Sequence, residues 1–277
     1  MTGLTLTQHS IVAAVFSLTA GLLGAVAVFL IAQRSHVQKR HMLPLTVLTV
    51  MALLAAYSYM RLYGSWMDGF AAAGASMRPT STPFNDWYRY THWLVTVPLL
   101  LTSIPYSLEA SRKQARGRAV VLALLGFEMV ALGFPGIWAS TTDSRLLWLG
   151  ASSVPMLLII MQLFGTVGAA IRAEPQPAQG WMRSARTILV VSWLAYPIIY
   201  SMPLLSLAGI NLSGSTVFMW TQVAYTVADL MSKAVFSLFI CAALTSKQDM
   251  PEAATRAGPP PRAKAPMSMA EPAGAAD

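Results

Sequence analysis

Apolar residues gather in seven long runs, at 10–33, 42–63, 88–107, 118–139, 146–171, 184–208 and 217–245, and polar residues gather between them. Each run reaches the roughly 20 residues that a helix needs to cross a bilayer. Polar positions inside a run are too few to make a wet face, and a helix that is apolar all round lies in protein or in lipid. The separators carry loop punctuation: Arg34 to His41, the Gly-, Pro- and Thr-containing 64–85, Glu109 to Arg116, Thr141 to Ser144, Glu174 to Gly180 and Gly209 to Ser215. The pattern predicts an all-α membrane protein, a bundle of seven transmembrane helices over residues 1–245, with the lipid bilayer as partner. The second connection is the longest and is expected to hold a little structure of its own. Residues 246–277, rich in Pro and Ala, read as a disordered tail.

Composition agrees. Of 277 residues, 55% are hydrophobic and 11% charged, with a mean hydropathy of +0.54. Soluble domains carry about 25% charged residues, so the composition argues against a water-soluble globule. The single Cys241 excludes a disulfide framework, and four scattered histidines lack ligand spacing, so no metal site is expected. A net charge of +8 could suit nucleic acid, but the cations are sorted along the chain. With the amino terminus outside, fourteen of nineteen fall on the cytoplasmic side: Arg34, Lys39, Arg40, Arg112, Lys113, Arg116, Arg118, Arg172, Arg183, Arg186, Lys247, Arg256, Arg262 and Lys264. The positive-inside rule then sets the amino terminus extracellular and the carboxyl terminus cytoplasmic, as an odd helix count requires. The basic balance is topological, the expected location is the inner (plasma) membrane, and no nucleic-acid partner is expected. No Lys or Arg precedes the first run, so a cleaved signal peptide is not indicated. Tandem repeats and inverted halves are not evident.

Ionisable side chains inside a span are costly enough to be functional candidates. Lys233 is the one lysine deep in a run, with Asp229 one helical turn before it and Tyr225 further along that face. Alone, the pair also reads as a structural ion pair. The third run carries Arg89, His92, Thr96 and Ser103 near one helical stripe, a polar file that reads as a path, although His92 alone also reads as a hydrogen-bonded interior histidine. In the sixth run Trp193, Tyr196 and Tyr200 share a face and Pro197 can kink the helix beside them. Such a stripe is core, or one wall of a slot for a flat conjugated ligand.

Together these segments resemble the microbial (type 1) rhodopsins, most nearly the proteorhodopsin and xanthorhodopsin branch. That family shows Arg-Tyr-x-Asp-Trp-Leu-x-Thr-x-Pro-Leu-Leu on the third helix, Trp-x-x-Tyr-Pro on the sixth and Asp-x-x-x-Lys on the seventh. This chain has Arg89-Tyr90-Thr91-His92-Trp93-Leu94-Val95-Thr96-Val97-Pro98-Leu99-Leu100, Trp193-Leu194-Ala195-Tyr196-Pro197, and Asp229 before Lys233. Tyr57-Ser58-Tyr59-Met60-Arg61 is also similar to that branch, and the likeness runs from about residue 10 to 245. It implies a photoreceptor and ion-transport protein without enzymatic activity, whose chromophore is all-trans retinal, a Schiff base on Lys233. Burial supplies the neutral amine that condenses with an aldehyde. Asp229 would be the counterion, Trp93 and Trp193 would sandwich the polyene, and Tyr196, Pro197, Tyr200, Thr96 and Ser232 would complete the site. Tyr57 and Arg89 would bound the extracellular side. Leu100 stands at the colour-tuning position and implies a green-absorbing form. Glu128, in the fourth run, is expected to be a buried acid near the retinal ring. A carotenoid antenna would need a groove beside small residues such as Ala151. Relatives form trimers or pentamers, so a homo-oligomer is expected.

Three positions depart from the family. Where outward proton pumps carry the carboxylate that accepts the Schiff-base proton, this chain has His92; where a carboxylic acid resupplies it, this chain has Ser103. Ala56 replaces the histidine found on the second helix of proteorhodopsins. Neutral His92 could still accept a proton, because imidazole titrates in the working range, whereas serine cannot donate one, so a slow photocycle is expected. Three readings stay open: a light-driven proton pump of either direction using His92, Asp229, Arg89, Thr96 and Ser103; a photosensor without net transport; and an inward anion pump.

Overall fold

A computed structural model describes residues 3–108, 111–202, 204 and 213–247. Among them the chain folds as seven helical rods. The first four are α1 (Leu6–Ala32), α2 (Met42–Gly69), α3 (Trp87–Leu108) and α4 (Arg112–Gly133), the last extended by a 3-10 turn over Phe134–Trp138. The fifth rod is α5 (Thr142–Phe164) followed by α6 (Thr166–Ala173), and the sixth is α7 (Ala178–Ser201). The seventh runs through α8 (Gly214–Asp229), a π-helical turn (Leu230–Val235) and α9 (Phe236–Thr245). Consecutive rods pack side by side and the seventh closes the ring against α1 and α7. The expected end of the sixth span, the connection after it and the tail beyond Lys247 lie outside the described residues.

Local chemistry sets the boundaries. Thr5 caps α1 by accepting from the Gln8 backbone N–H at 3.1 Å, while the Gln8 side chain accepts from the Thr5 N–H at 3.0 Å, a reciprocal box that satisfies two orphan donors. Thr141 and Ser213 cap α5 and α8 by accepting from the Ser144 and Thr216 N–H groups, without the return bond. At Gly165 a Cβ would lie 2.9 Å from the Met161 carbonyl oxygen, so only glycine lets the fifth rod break into α5 and α6.

Among the described residues five rods have the length and hydropathy of a membrane span, and α3 and α7 are not among them. In α3 the polar residues Arg89, His92, Thr96 and Ser103 lower the hydropathy, and in α7 Gln179, Arg183 and Arg186 do so. Leu147, Met161 and Ile198 are about two-thirds exposed on the outside of the bundle, where lipid rather than water is the natural solvent. The long second connection is more structured than a loop. Strands β2 (Phe70–Ala73) and β3 (Ser76–Pro79) pair antiparallel around Gly74, whose positive φ of 64° makes the tight turn, and β1 (Leu4–Thr5) adds to β3 with Leu4 opposite Met77. The otherwise helical fold therefore has a three-stranded cap over the amino-terminal end. Beneath it Phe16, Trp66, Phe70, Phe84 and Phe218 form an aromatic cluster.

Candidate functional site

Asp229 stands at the centre. It is fully buried at the end of α8, and the π-helical turn that follows carries Lys233 back over it. Single π-helical turns cluster at functional positions, because the extra residue per turn re-aims a side chain. The Lys233 ammonium is hydrogen-bonded to Asp229 Oδ1. Three neutral donors hold the same carboxylate: Tyr59 Oη at 2.8 Å from Oδ2, Trp93 Nε1 at 3.0 Å from Oδ1, and Tyr196 Oη at 2.6 Å from Oδ1. These donors come from α2, α3 and α7, so four rods converge on one anion. A buried carboxylate with a cation and three donors is stabilised; stripped of the lysine it would cost about 3–5 kcal/mol.

His92 approaches the same carboxylate. Its Nδ1 lies 3.0 Å from the Tyr88 carbonyl oxygen, one turn back on α3. A carbonyl only accepts, so Nδ1 carries a proton and, in the neutral ring, Nε2 carries a lone pair. That Nε2 is buried without a hydrogen-bond partner, 3.6 Å from Asp229 Oδ2. The open basic atom of the ring thus faces the counterion.

Toward the amino-terminal end the polar network continues. Arg89, with no exposed surface, donates from Nη1 to Tyr59 Oη at 3.2 Å and from Nη2 to Gln222 Oε1 at 2.8 Å, and its Nε pairs with Asp86 Oδ1 at 3.2 Å. Toward the other end the file thins. Thr96 donates to the His92 carbonyl at 2.8 Å, Ser103 to that of Leu100 at 2.6 Å and Ser107 to that of Ser103 at 2.7 Å, so each hydroxyl is spent on its own helix. The file ends at Lys247, which donates to the Ser107 carbonyl at 3.0 Å and pairs with Glu174 at 2.6 Å, while Gln38 donates to the Lys247 carbonyl at 2.6 Å. Burial draws the Lys247 ammonium below the usual lysine range, and the Glu174 carboxylate pulls it back up.

Beside Asp229 opens a cavity of about 680 Å³ including its mouth. Trp93, Trp193, Tyr196, Pro197 and Tyr200 line it, together with Tyr90, Tyr225 and Met156. Trp93 and Tyr196 therefore serve twice, as walls of the cavity and as donors to Asp229. Lys233 Nζ lies 5.9 Å from the centre of the Trp93 ring, which places the amine next to this wall. Thr96, Leu100 and Ser232 are buried close by but are not part of the lining. Lys233 and Asp229 are not part of the lining either but lie directly behind the walls Trp93 and Tyr196, and an aromatic slot next to an amine and its carboxylate fits a flat conjugated aldehyde bound to Lys233.

Several expectations are corrected. Tyr57 is 60% exposed on the outside of α2, and Tyr59 takes the place assigned to it. The reason is helical phase: Ala52, Ala55, Tyr59, Leu62 and Trp66 form the buried stripe of α2, and position 57 faces away. Glu128 is likewise exposed, because Ala119, Leu122, Gly126 and Val130 occupy the inner face of α4. Ala151 is half-buried and outside the cavity lining, so the geometry adds nothing to the carotenoid expectation. Sequence reasoning missed Gln222, Asp86 and the donor role of Trp93. The spacing of Gln222 and Asp229, two turns apart on one face, was a usable signal for the first; nothing in the pattern singled out Asp86.

A sequence profile of the bacteriorhodopsin-like proteins matches residues 5–247. Cruxrhodopsin-1 of Haloarcula argentinensis is 28% identical over 156 residues, 56% of this chain and 60% of that protein. The match thus spans about three fifths of that relative's length. Among solved structures, xanthorhodopsin, described as a light-driven ion pump with dual chromophore, superposes with a TM-score of 0.83 at 29% identity, over 90% of this chain and 97% of that one. Thermophilic rhodopsin superposes with a TM-score of 0.81 at 30% identity, over 89% and 97%.

Proposed function

The chain belongs to the bacteriorhodopsin-like family, and from that premise we propose that it is a light-driven proton pump in which His92 replaces a carboxylate as proton acceptor. One observation carries this reading: His92 Nδ1 is committed to the Tyr88 carbonyl while Nε2 is buried, unpartnered and 3.6 Å from Asp229.

The charges support a neutral imidazole before illumination. Lys233 is balanced by Asp229, and Arg89 by Asp86. A proton on His92 would set three buried cations against those two carboxylates, of which only Asp229 is fully buried, and low dielectric makes that costly. Retinal on Lys233, held between Trp93, Trp193, Tyr196 and Pro197, would supply a light-driven change of shape at the lysine nitrogen. The chain's own groups do the rest. A proton leaving Lys233 Nζ arrives at His92 Nε2, and the imidazolium so formed pairs with Asp229, which stays ionised under its three donors. Tyr59, Arg89 and Gln222 link this carboxylate to Asp86, whose side chain is 30% exposed at the amino-terminal end. Release is therefore directed to that end, the extracellular side by the distribution of Lys and Arg. On the way back to Lys233 the hydroxyls of Ser103 and Ser107 are each bound to their own helix and offer no carboxylic proton, so recovery is slow.

The test is the light-induced pH change of cells carrying the protein in the plasma membrane, with and without protonophore and with sulfate in place of chloride. Acidification that protonophore abolishes and sulfate leaves intact is the expected result. Alkalinisation enhanced by protonophore and dependent on chloride would replace this reading with anion pumping. Silence in a coloured membrane would replace it with a sensory role, which the carboxyl-free serine file also supports.

A further inference from the structure

A cluster of cations at the Lys247 end of the bundle has no part in this chemistry. We propose that Arg172, Arg183 and Arg186 form a binding site for the phosphate of an anionic phospholipid. Arg172 lies in the last turn of α6 and the other two on the first turns of α7. A Cβ placed on Gly168 would lie 3.0 Å from Arg186 Nη1 and 3.6 Å from Arg172 Nη1, so the two guanidinium groups converge over one glycine. Arg183 is near enough that it, like Arg172, repels the Arg186 charge. Among the described residues none of the three is ion-paired, and Glu174, which follows α6, is engaged by Lys247.

Arg186 is also incompletely satisfied. Its Nε is buried without a hydrogen-bond partner, and its guanidinium rests 4.4 Å from the centre of the Phe164 ring. Three like charges drawn together, one with a buried idle donor, are unfavourable unless an anion joins them. A phosphate, with several acceptor oxygens for forked guanidinium donors, matches that need. The adjoining surface indicates that the phosphate belongs to a lipid. Leu157, Met161 and Phe164, at i, i+4 and i+7 on α5, are 54%, 68% and 49% exposed. They form an apolar strip that runs from the arginines along the outside of the bundle, as an acyl chain would. Basic pockets between helices at the membrane surface take headgroups for this reason.

The experiment uses the full chain in detergent and native mass spectrometry with added phosphatidylglycerol or phosphatidylcholine of identical acyl chains. Preferential retention of phosphatidylglycerol is expected. The double substitution Arg172→Gln/Arg186→Gln should weaken that retention about thirtyfold, and Arg183→Gln, at an exposed position, about fivefold. Arg112→Gln/Arg116→Gln, exposed cations in the first turns of α4, should leave it unchanged. Helical circular dichroism checks that each variant is folded, and Arg183→Gln alone decides the matter if the double variant is not. Equal retention of both lipids, or an equal loss in the Arg112/Arg116 variant, would overturn the proposal. Complete displacement of the lipid by millimolar inorganic phosphate would assign the cluster to a soluble anion and overturn it as well.

Discussion

Two lysines in the seventh rod and just beyond it are almost wholly buried, and each is paired with a carboxylate, yet they are built for different ends. Lys233 meets Asp229 beside an aromatic cavity, and three donors from three rods fix the carboxylate so that its charge persists if the amine is modified. Lys247 meets Glu174 where the helices end, and its remaining contacts are to backbone: it donates to the Ser107 carbonyl, and its own carbonyl accepts from Gln38. Among the described residues, the aromatic cavity beside Lys233 does not extend to Lys247. The lesson is that burial of an ammonium does not mark reactivity; a space beside it and an independently supported counterion do. Lys247 reads instead as a fastener that joins the end of the seventh rod to α3, to the segment after α6 and to the one before α2.

The contrast can be broken by exchanging losses. Lys233→Met should give a protein that stays colourless with all-trans retinal and traps nothing on borohydride reduction, whereas Lys247→Met should still form pigment; pigment in the first or none in the second would erase the distinction. Lys247→Met should nevertheless lower stability by about 3 kcal/mol, because a buried ammonium–carboxylate pair is broken, and the thermal bleaching midpoint of the pigment measures it. On the Lys233 side, His92→Asp should speed proton transfer from the chromophore at least about tenfold, in line with the worth of a positioned base, and should shift the pH dependence of the visible spectrum. Flash spectroscopy with unchanged kinetics and an unchanged titration would remove His92 from the route. Tyr59→Phe should weaken the counterion cage by about 1 kcal/mol, one buried hydrogen bond, seen as a shifted absorption band. Tyr57→Phe should move neither band nor stability, since an outward-facing position contributes within about 0.5 kcal/mol.

How far the site could be read in advance varied with the range of the information. His92 and Thr96, or Asp229 and Lys233, lie one turn apart on a single helix, so spacing alone brings them together. Tyr59 and Tyr57 sit two positions apart, and choosing between them needs the phase of α2 against its neighbours. The same uncertainty misplaced Glu128, since an apolar helix in lipid has no wet face to reveal which side is inward. Lys247 reads as the start of a polar tail, and only its contacts with residues distant in the chain make it part of the bundle.

Apolar run length determined by itself that this chain makes seven helices in a membrane, because an uninterrupted apolar run of about 20 residues suits a spanning helix, which satisfies its own backbone hydrogen bonds, and not the shorter alternating strand of a barrel. Local spacing likewise determined which helices carry the amine, the carboxylate and the imidazole. Tertiary structure alone decided that Tyr59, Trp93 and Tyr196 share one carboxylate, that the free nitrogen of His92 points at it, and that Arg89 is anchored to Gln222 and Asp86. Those contacts join residues up to 170 positions apart, and whether such groups meet depends on the rotation of each rod about its own axis, which packing sets and a linear pattern of apolar residues does not.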